Sequence, residues 1–415
     1  MTNDPSTVLG YVEAVTPTDA RSPLATGPAP RARLPEFDVV RSIVLIGVFT
    51  MNYIVFWRTE RLAGGWQGDG APGWLTTFMN PWTGPLSTRF AATLVTLVGV
   101  GVSLGGRTAE HSGDPATINE HRWRLRRRGV LFILIGVMFD AAWSGGVLHY
   151  VGTYLLLVSF VFAWRTRHLV VLTIGVVLLT VAERVAVFVV VGDDQLSWWS
   201  GINGGTFRRH PVGTPQGYLS SVLSWGGHPV LPWLGFVLGG IVLARVLVPH
   251  NGAPVTNRIR AKVIGVGLGI MGCGFAFAMV ANSVVTDRWR WIASLDPVAS
   301  FGPPFGLAMP AYFLSTLGSS VIAITVISWV ARRTARWLPV RVLTRAGRVT
   351  FSLYVLHGLI PWALTVHGIV GTNLSLYQAL GVAFGSWSLA VVVGALYLRW
   401  RGIGPMEWLL RKIGG

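Results

Sequence analysis

The chain has 415 residues, of which 52% are hydrophobic and only 12% charged, and its mean hydropathy is +0.54. Apolar segments long enough to cross a bilayer recur along it, which excludes a soluble two-domain enzyme and predicts an all-α, polytopic membrane protein. The formal charge of +17 does not imply nucleic acid, because the arginines sit in short loops beside apolar segments, where the positive-inside rule accounts for them.

Residues 1–36 are rich in Pro, Ala and Thr, carry mixed charge and have no apolar core. They read as a disordered cytoplasmic tail and not as a cleavable signal peptide. Residues 37–415 then form a single transmembrane helical domain. The stretch RLPEFDVVRSIVLIGVFTMNYIVFW opens it and carries an acid, a base and an amide through an apolar run. At about 100° per residue, Asp38, Arg41 and Asn52 fall within roughly 60° of one another, on one stripe of one helix. Such a stripe should face other helices or a wet cavity, since a charge near the bilayer centre costs on the order of 2.5 to 3.5 kcal/mol on insertion scales. The plainer alternative is an interfacial Asp38–Arg41 pair with Asn52 as packing glue.

Hydropathy predicts ten spans, near 38–57, 87–106, 129–144, 147–164, 168–192, 218–248, 261–283, 306–331, 349–370 and 378–399. Arginine clusters precede the third, seventh and ninth spans and follow the fourth and tenth. The intervening loops hold only Arg58 and Arg61, then Arg208 and Arg209, then Arg288 and Arg290. Both termini are therefore expected in the cytoplasm. Trp66, Trp74 and Trp82 in the first outer loop, and Trp198 and Trp199 in a later one, fit interfacial anchors. Pro229 and Pro232 should break the sixth span, which is too long for one plain crossing. Gly99, Gly101, Gly105, Gly106, Gly235, Gly239 and Gly240 read as close helix contacts, because no strand precedes them as a nucleotide fingerprint requires.

Ionisable and amide groups inside the spans are the functional candidates. Asn52, Asp140, His149 with Tyr150, and His228 lie at similar depth on the outer side, as a vestibule would need. An Asp beside a His could orient the imidazole as a general base, although spacing does not say which His would join Asp140. Each also has a plainer role as a cap or an interfacial hydrogen-bonding group. Tyr354 and His357 sit at i, i+3 in the ninth span, about 12 Å from the cytoplasmic face on a 1.5 Å rise. Glu183 and Arg184 point about 100° apart and read as structural. With no HExxH, no CxxC and the single Cys273 in an apolar run, neither a metal nor a disulfide is expected. The cytoplasmic arginines could hold the phosphates of a nucleotide-containing donor, Arg41 foremost because it lies within a span. Lysine is confined to Lys262 and Lys412, which suggests a GC-rich bacterial coding bias.

Several short motifs resemble a known group. Asp38, Arg41 and Asn52 in the first helix, GVLHYVGTYLLL at 147–158, LPWLGFVLGG at 231–240, GRVTFSLYVLH at 347–357 and the closing GPMEWLLR at 404–411 are similar to the bacterial YeiB-like membrane proteins, a family of unknown function. The first-helix pattern also resembles that of the heparan-alpha-glucosaminide N-acetyltransferase group. The resemblance implies a multi-helix enzyme of the bacterial cytoplasmic membrane that moves an acyl group, acetyl foremost, from cytoplasmic acyl-CoA to an envelope sugar or lipid. In that reading Asp38, Arg41 and Tyr354 serve the donor and Asn52 the acceptor, while Asp140, His149, His228 and His357 supply the catalytic groups. Ser42 stands where the likeness expects Gly, and Met406 where it expects Leu. No His lies between Arg33 and Arg107, where the N-acetyltransferase group has its catalytic histidine, so that role has no counterpart. The bilayer and an envelope glycan or glycolipid are the expected partners, a homodimer is compatible, and a transporter or flippase is the alternative.

Overall fold

Helix boundaries follow the polar punctuation of the chain. The structure, a computed structural model, describes residues 34–58, 69–81, 84–86, 88–143, 146–191, 212–225, 227–249, 255–284 and 309–415. The tail up to residue 33 lies outside the described residues, as do Trp66, Trp82, Trp198, Trp199, Arg61, Arg208, Arg209, Arg288 and Arg290.

The first helix, α1 (Pro35–Trp57), starts two residues inside the expected tail, with Pro35 in its first turn and Glu36 and Asp38 near its positive end. A short α2 (Gly73–Phe78) and a long α3 (Arg89–Ser112) follow, and Gly113 at φ +63° ends α3. Asp114 then caps α4 (Pro115–Asp140) by accepting the Ala116 and Thr117 amides. Next come α5 (Leu148–Val161), α6 (Thr166–Val191), α7 (Pro215–Ser220), a π turn at Ser221–Trp225, and α8 (Val230–Leu247). The expected break is present: Pro229 stands before α8, and Leu231 has non-helical angles. The last third holds α9 (Asn257–Val284), α10 (Met309–Arg333), α11 (Leu338–Gly347), α12 (Thr350–Val366), α13 (Leu376–Arg401) and α14 (Pro405–Gly414).

Seven of these, α1, α3, α6, α8, α9, α10 and α13, are long and apolar enough to cross a membrane. The pair α11–α12, bent by 79°, would make an eighth. The segments expected as spans three and four appear as the apolar half of α4 and the 14-residue α5, which pack together. No strand occurs among the described residues. Large apolar side chains such as Leu178, Leu179, Val266, Met279, Leu389 and Leu396 are exposed on α6, α9 and α13, as lipid-facing surfaces require. The chain is thus a multi-pass, all-α membrane protein.

At its centre α1 packs against α3, α10, α11, α12 and α13. Across from it α3 and α8 cross backbone to backbone. A Cβ on Gly99 would collide with the Val237 carbonyl, and one on Gly240 with the Thr96 carbonyl, so only glycine allows this approach. Gly240→Val is therefore expected to lower the unfolding midpoint in mild detergent by the equivalent of about 1 to 3 kcal/mol. Gly272→Ala, where a Cβ meets nothing, should leave it unchanged or raise it. Equal behaviour of the two variants would refute the close crossing.

Candidate functional site

The site is built where α1 and α12 touch. His357 is fully buried on α12, and its Nδ1 lies against the carbonyl of Tyr354 one turn earlier. A carbonyl only accepts, so Nδ1 carries the proton and Nε2 is left with its lone pair. Facing that lone pair, the Asn52 amide on α1 donates from Nδ2 at 2.9 Å. One residue on, the Tyr53 hydroxyl donates to the His357 carbonyl at 3.1 Å. Phe49, Trp143 and Tyr354 wall the imidazole, with ring centroids 5.1, 5.6 and 4.7 Å away. An imidazole with a fixed tautomer and its basic nitrogen held toward a half-buried amide can accept a proton from a group that displaces the amide.

The sequence put Asn52 in an outer layer and His357 near mid-membrane. The structure makes them one unit. Tyr354 accepts the Val147 amide at 3.0 Å through its hydroxyl and so ties α12 to the start of α5. Two residues on, His149 lies fully buried with its ring centroid 3.9 Å from that of Tyr150. Tyr150 bonds Ser221 at 2.6 Å, and its ring centroid is 5.5 Å from that of His228. His228 in turn meets Trp233 edge to face at 4.3 Å, and its carbonyl accepts the Tyr154 hydroxyl at 2.5 Å. His149 and His228 thus share a second polar cluster, adjoining the first through Tyr354. Asp140 ends α4 half-buried, beside Phe139, whose ring packs on Tyr354, and three residues before Trp143.

Asp38 and Arg41 form a separate station. Their ion pair is 2.7 Å long, with the Asp38 side chain 1% exposed and the Arg41 side chain 26% exposed. Eleven residues along α1 separate Arg41 from Asn52, about 16 Å at 1.5 Å per residue. Ser42 explains its own departure from glycine: its hydroxyl donates to the Leu343 carbonyl at 2.6 Å, and its carbonyl accepts the Trp387 indole at 3.0 Å.

Several arginines are engaged with helix ends. Arg245 donates to the Phe162 and Trp164 carbonyls and pairs with Glu110 at 3.2 Å, Arg107 donates to the Val248 and Pro249 carbonyls, and Arg122 to that of Ser159. These contacts satisfy carbonyls that helices leave open at their C-terminal ends. A cavity of about 400 Å³ lies among them, lined by Ser103, Arg107, Glu110, His111, Arg165 and Arg245. Ser103, Arg107 and Glu110 share one face of α3, whereas Gly101 turns toward Arg41. The cavity and Arg41 therefore lie on different faces of that helix.

Sequence reasoning missed Glu407. Its Oε1 accepts the Phe351 and Ser352 amides at 2.8 and 3.2 Å, and its Oε2 accepts the Ser352 hydroxyl at 2.5 Å. The closing motif is thus an N-terminal cap supplied from afar to α12, the helix carrying His357. Gly404 is needed there, since a Cβ would strike Glu407. An acid fixed between two glycine- and proline-marked bends was the available signal.

Residues 269–414 match a family described as "Protein of unknown function (DUF418)". The match agrees with the YeiB-like part of the resemblance over the last third of the chain, and it includes Tyr354, His357 and Glu407 but none of the candidates before residue 269. No curated protein matches the chain.

Removing the Glu407 cap should cost about 1 to 3 kcal/mol, the price of stranding its donors. Glu407→Ala is expected to lower the thermal midpoint and speed amide exchange at Phe351 and Ser352, with Glu407→Gln intermediate. Unchanged protection of those two amides would exclude the assignment.

Proposed function

We propose that the protein transfers an acyl group, acetyl foremost, from cytoplasmic acyl-CoA to a hydroxyl or amine of an envelope glycan or glycolipid, with His357 as general base. The observation that carries this is the Asn52–His357 contact, a buried imidazole with its tautomer set by one backbone carbonyl and its basic nitrogen presented to a displaceable amide. The acceptor takes the place of Asn52 at Nε2 and gives up its proton there as its oxygen or nitrogen attacks the thioester carbonyl. The imidazolium returns that proton to the departing CoA thiolate, so ester or amide, free thiol and neutral imidazole result. The Asn52 amide, displaced by less than its own length, remains near enough to donate to the oxyanion.

In this reading ten segments cross the bacterial cytoplasmic membrane, with the apolar half of α4 and α5 among them and both termini inside. Arg41 faces the donor phosphates, with Asp38 orienting its guanidinium. Asp140, His149 and His228 line the acceptor side. The resemblance to the N-acetyltransferase group supports the reaction class and leaves the acceptor open. One feature favours a second reading, transport or flipping of a polar substrate: the break between α7, the π turn and α8, a device found at substrate sites of transporters.

Purified protein in nanodiscs should release CoA from acetyl-CoA when cell-envelope extract is added. His357→Ala should reduce that release by about 100-fold or more, as loss of a general base does. Asn52→Ala should reduce it about tenfold, with both variants inserted and folded. Solute movement in vesicles free of CoA, together with no CoA release, would replace transfer by transport.

A further inference from the structure

Arg89 is a cation that the proposed chemistry does not use. It is the first residue of α3 and is half-buried against α10. Its guanidinium donates to Ser319 Oγ at 3.1 Å and to Ser315 Oγ at 3.2 Å. Both serine hydroxyls pass their own protons on, Ser315 to the Tyr312 carbonyl at 3.0 Å and Ser319 to the Thr316 carbonyl at 2.9 Å. They therefore serve Arg89 purely as neutral acceptors. The phenol of Tyr312 bonds Thr88, the residue before Arg89. Among the described residues no carboxylate pairs with Arg89.

A structural bridge to two serine oxygens needs only neutral donors. The charge is surplus to that task, and placing it beside apolar spans is unfavourable unless an anion completes it. Its position compounds the imbalance. The positive end of the α3 dipole lies at Arg89, and the side chain of Thr88 does not cap the first turn, being turned to Tyr312. Uncapped amides, a guanidinium with three N–H groups still to place, and neighbouring hydroxyls form a donor set suited to a tetrahedral oxyanion. The adjacent Phe90 ring covers Gly47 on α1, five residues before Asn52 along that helix.

We infer that Arg89, with Ser315, Ser319, Tyr312 and the start of α3, binds a phosphate anion. Joined to the transfer reading, on which only this last assignment rests, the anion is the phosphate of the acceptor.

The test uses the wild-type full chain in nanodiscs of zwitterionic lipid, treated with phenylglyoxal, with modification of each arginine followed by peptide mass spectrometry. Two probes are compared in chloride-matched buffer: inorganic phosphate, and phosphatidylglycerol blended into the disc. Either probe should slow modification of Arg89 by at least about fivefold at saturation while the exposed Arg401 is unaffected, because a bound anion shields the guanidinium in proportion to occupancy. Protection by the lipid alone identifies a headgroup, and protection by inorganic phosphate a soluble ester. Arg89→Gln, which removes the charge, should abolish phosphate-induced thermal stabilisation. Absence of Arg89 protection by both probes overturns the inference, even in protein that turns over acetyl-CoA. Protection without CoA release leaves the subsite standing and removes the transfer reading.

Discussion

Burying α1 is the constraint on which the rest of the structure depends. A helix that carries Asp38, Arg41 and Asn52 on one face through a membrane cannot turn that face to lipid, so other helices must enclose it. Five do, and four of them meet its polar stations. Glu36 reaches Arg332 on α10, the Asp38 backbone rests against Gly347 of α11, Ser42 bonds α11 and α13, and Asn52 and Tyr53 hold α12. Where α1 ends, the fully buried Arg58 pairs with Asp69 at 2.7 Å, and Asp69 also accepts the Leu376 amide at the start of α13. The polar groups thus fix which helix lies where, a selectivity that apolar packing among equally greasy helices provides poorly.

The stripe on α1 was legible in the sequence because helical period assigns a face, and burial of that face follows from the cost of charge in hydrocarbon. Period does not assign the neighbour. Asn52 was therefore grouped by depth with Asp140, His149 and His228, while its partner, 305 residues away, was His357. The same limit applies to the arginines. Their place beside apolar segments is legible in the sequence, but the engagement of Arg107, Arg122 and Arg245 with helix-end carbonyls depends on tertiary arrangement. The glycine contacts of α3 and α8 were easier to read, because small residues at close spacing in apolar helices have few other uses. Arg89 escaped notice as the ordinary start of an apolar run, with nothing in its own neighbourhood to mark the serines of α10.

Two clusters of aromatic and histidine side chains, rather than one vestibule, occupy the bundle. They meet at the start of α5, where the Tyr354 hydroxyl receives the Val147 amide and so satisfies a donor that a helix start would otherwise leave open. One tyrosine thereby holds the turn of α12 that carries His357 and the helix that carries His149. Motion of α5 relative to α12 cannot leave both clusters unaltered.

The geometry of His357 also depends on the N-terminal end of its helix. The chain turns by 79° between α11 and α12, and a bend of that size leaves the first amides of α12 without helical partners. Glu407 Oε1 accepts two of those amides, and Ser352, held by the same carboxylate, in turn accepts the Met406 amide, closing a reciprocal lock between the last helix and the ninth expected span. From Ser352 to His357 the rise is about 7.5 Å, little more than one helical turn, so the depth and azimuth of the imidazole are set by where that lock holds the helix start. An imidazole whose Nε2 must meet a 2.9 Å contact on another helix tolerates little rotation, and a carboxylate cap at the helix terminus supplies the restraint that apolar contacts with Phe49 and Trp143 do not.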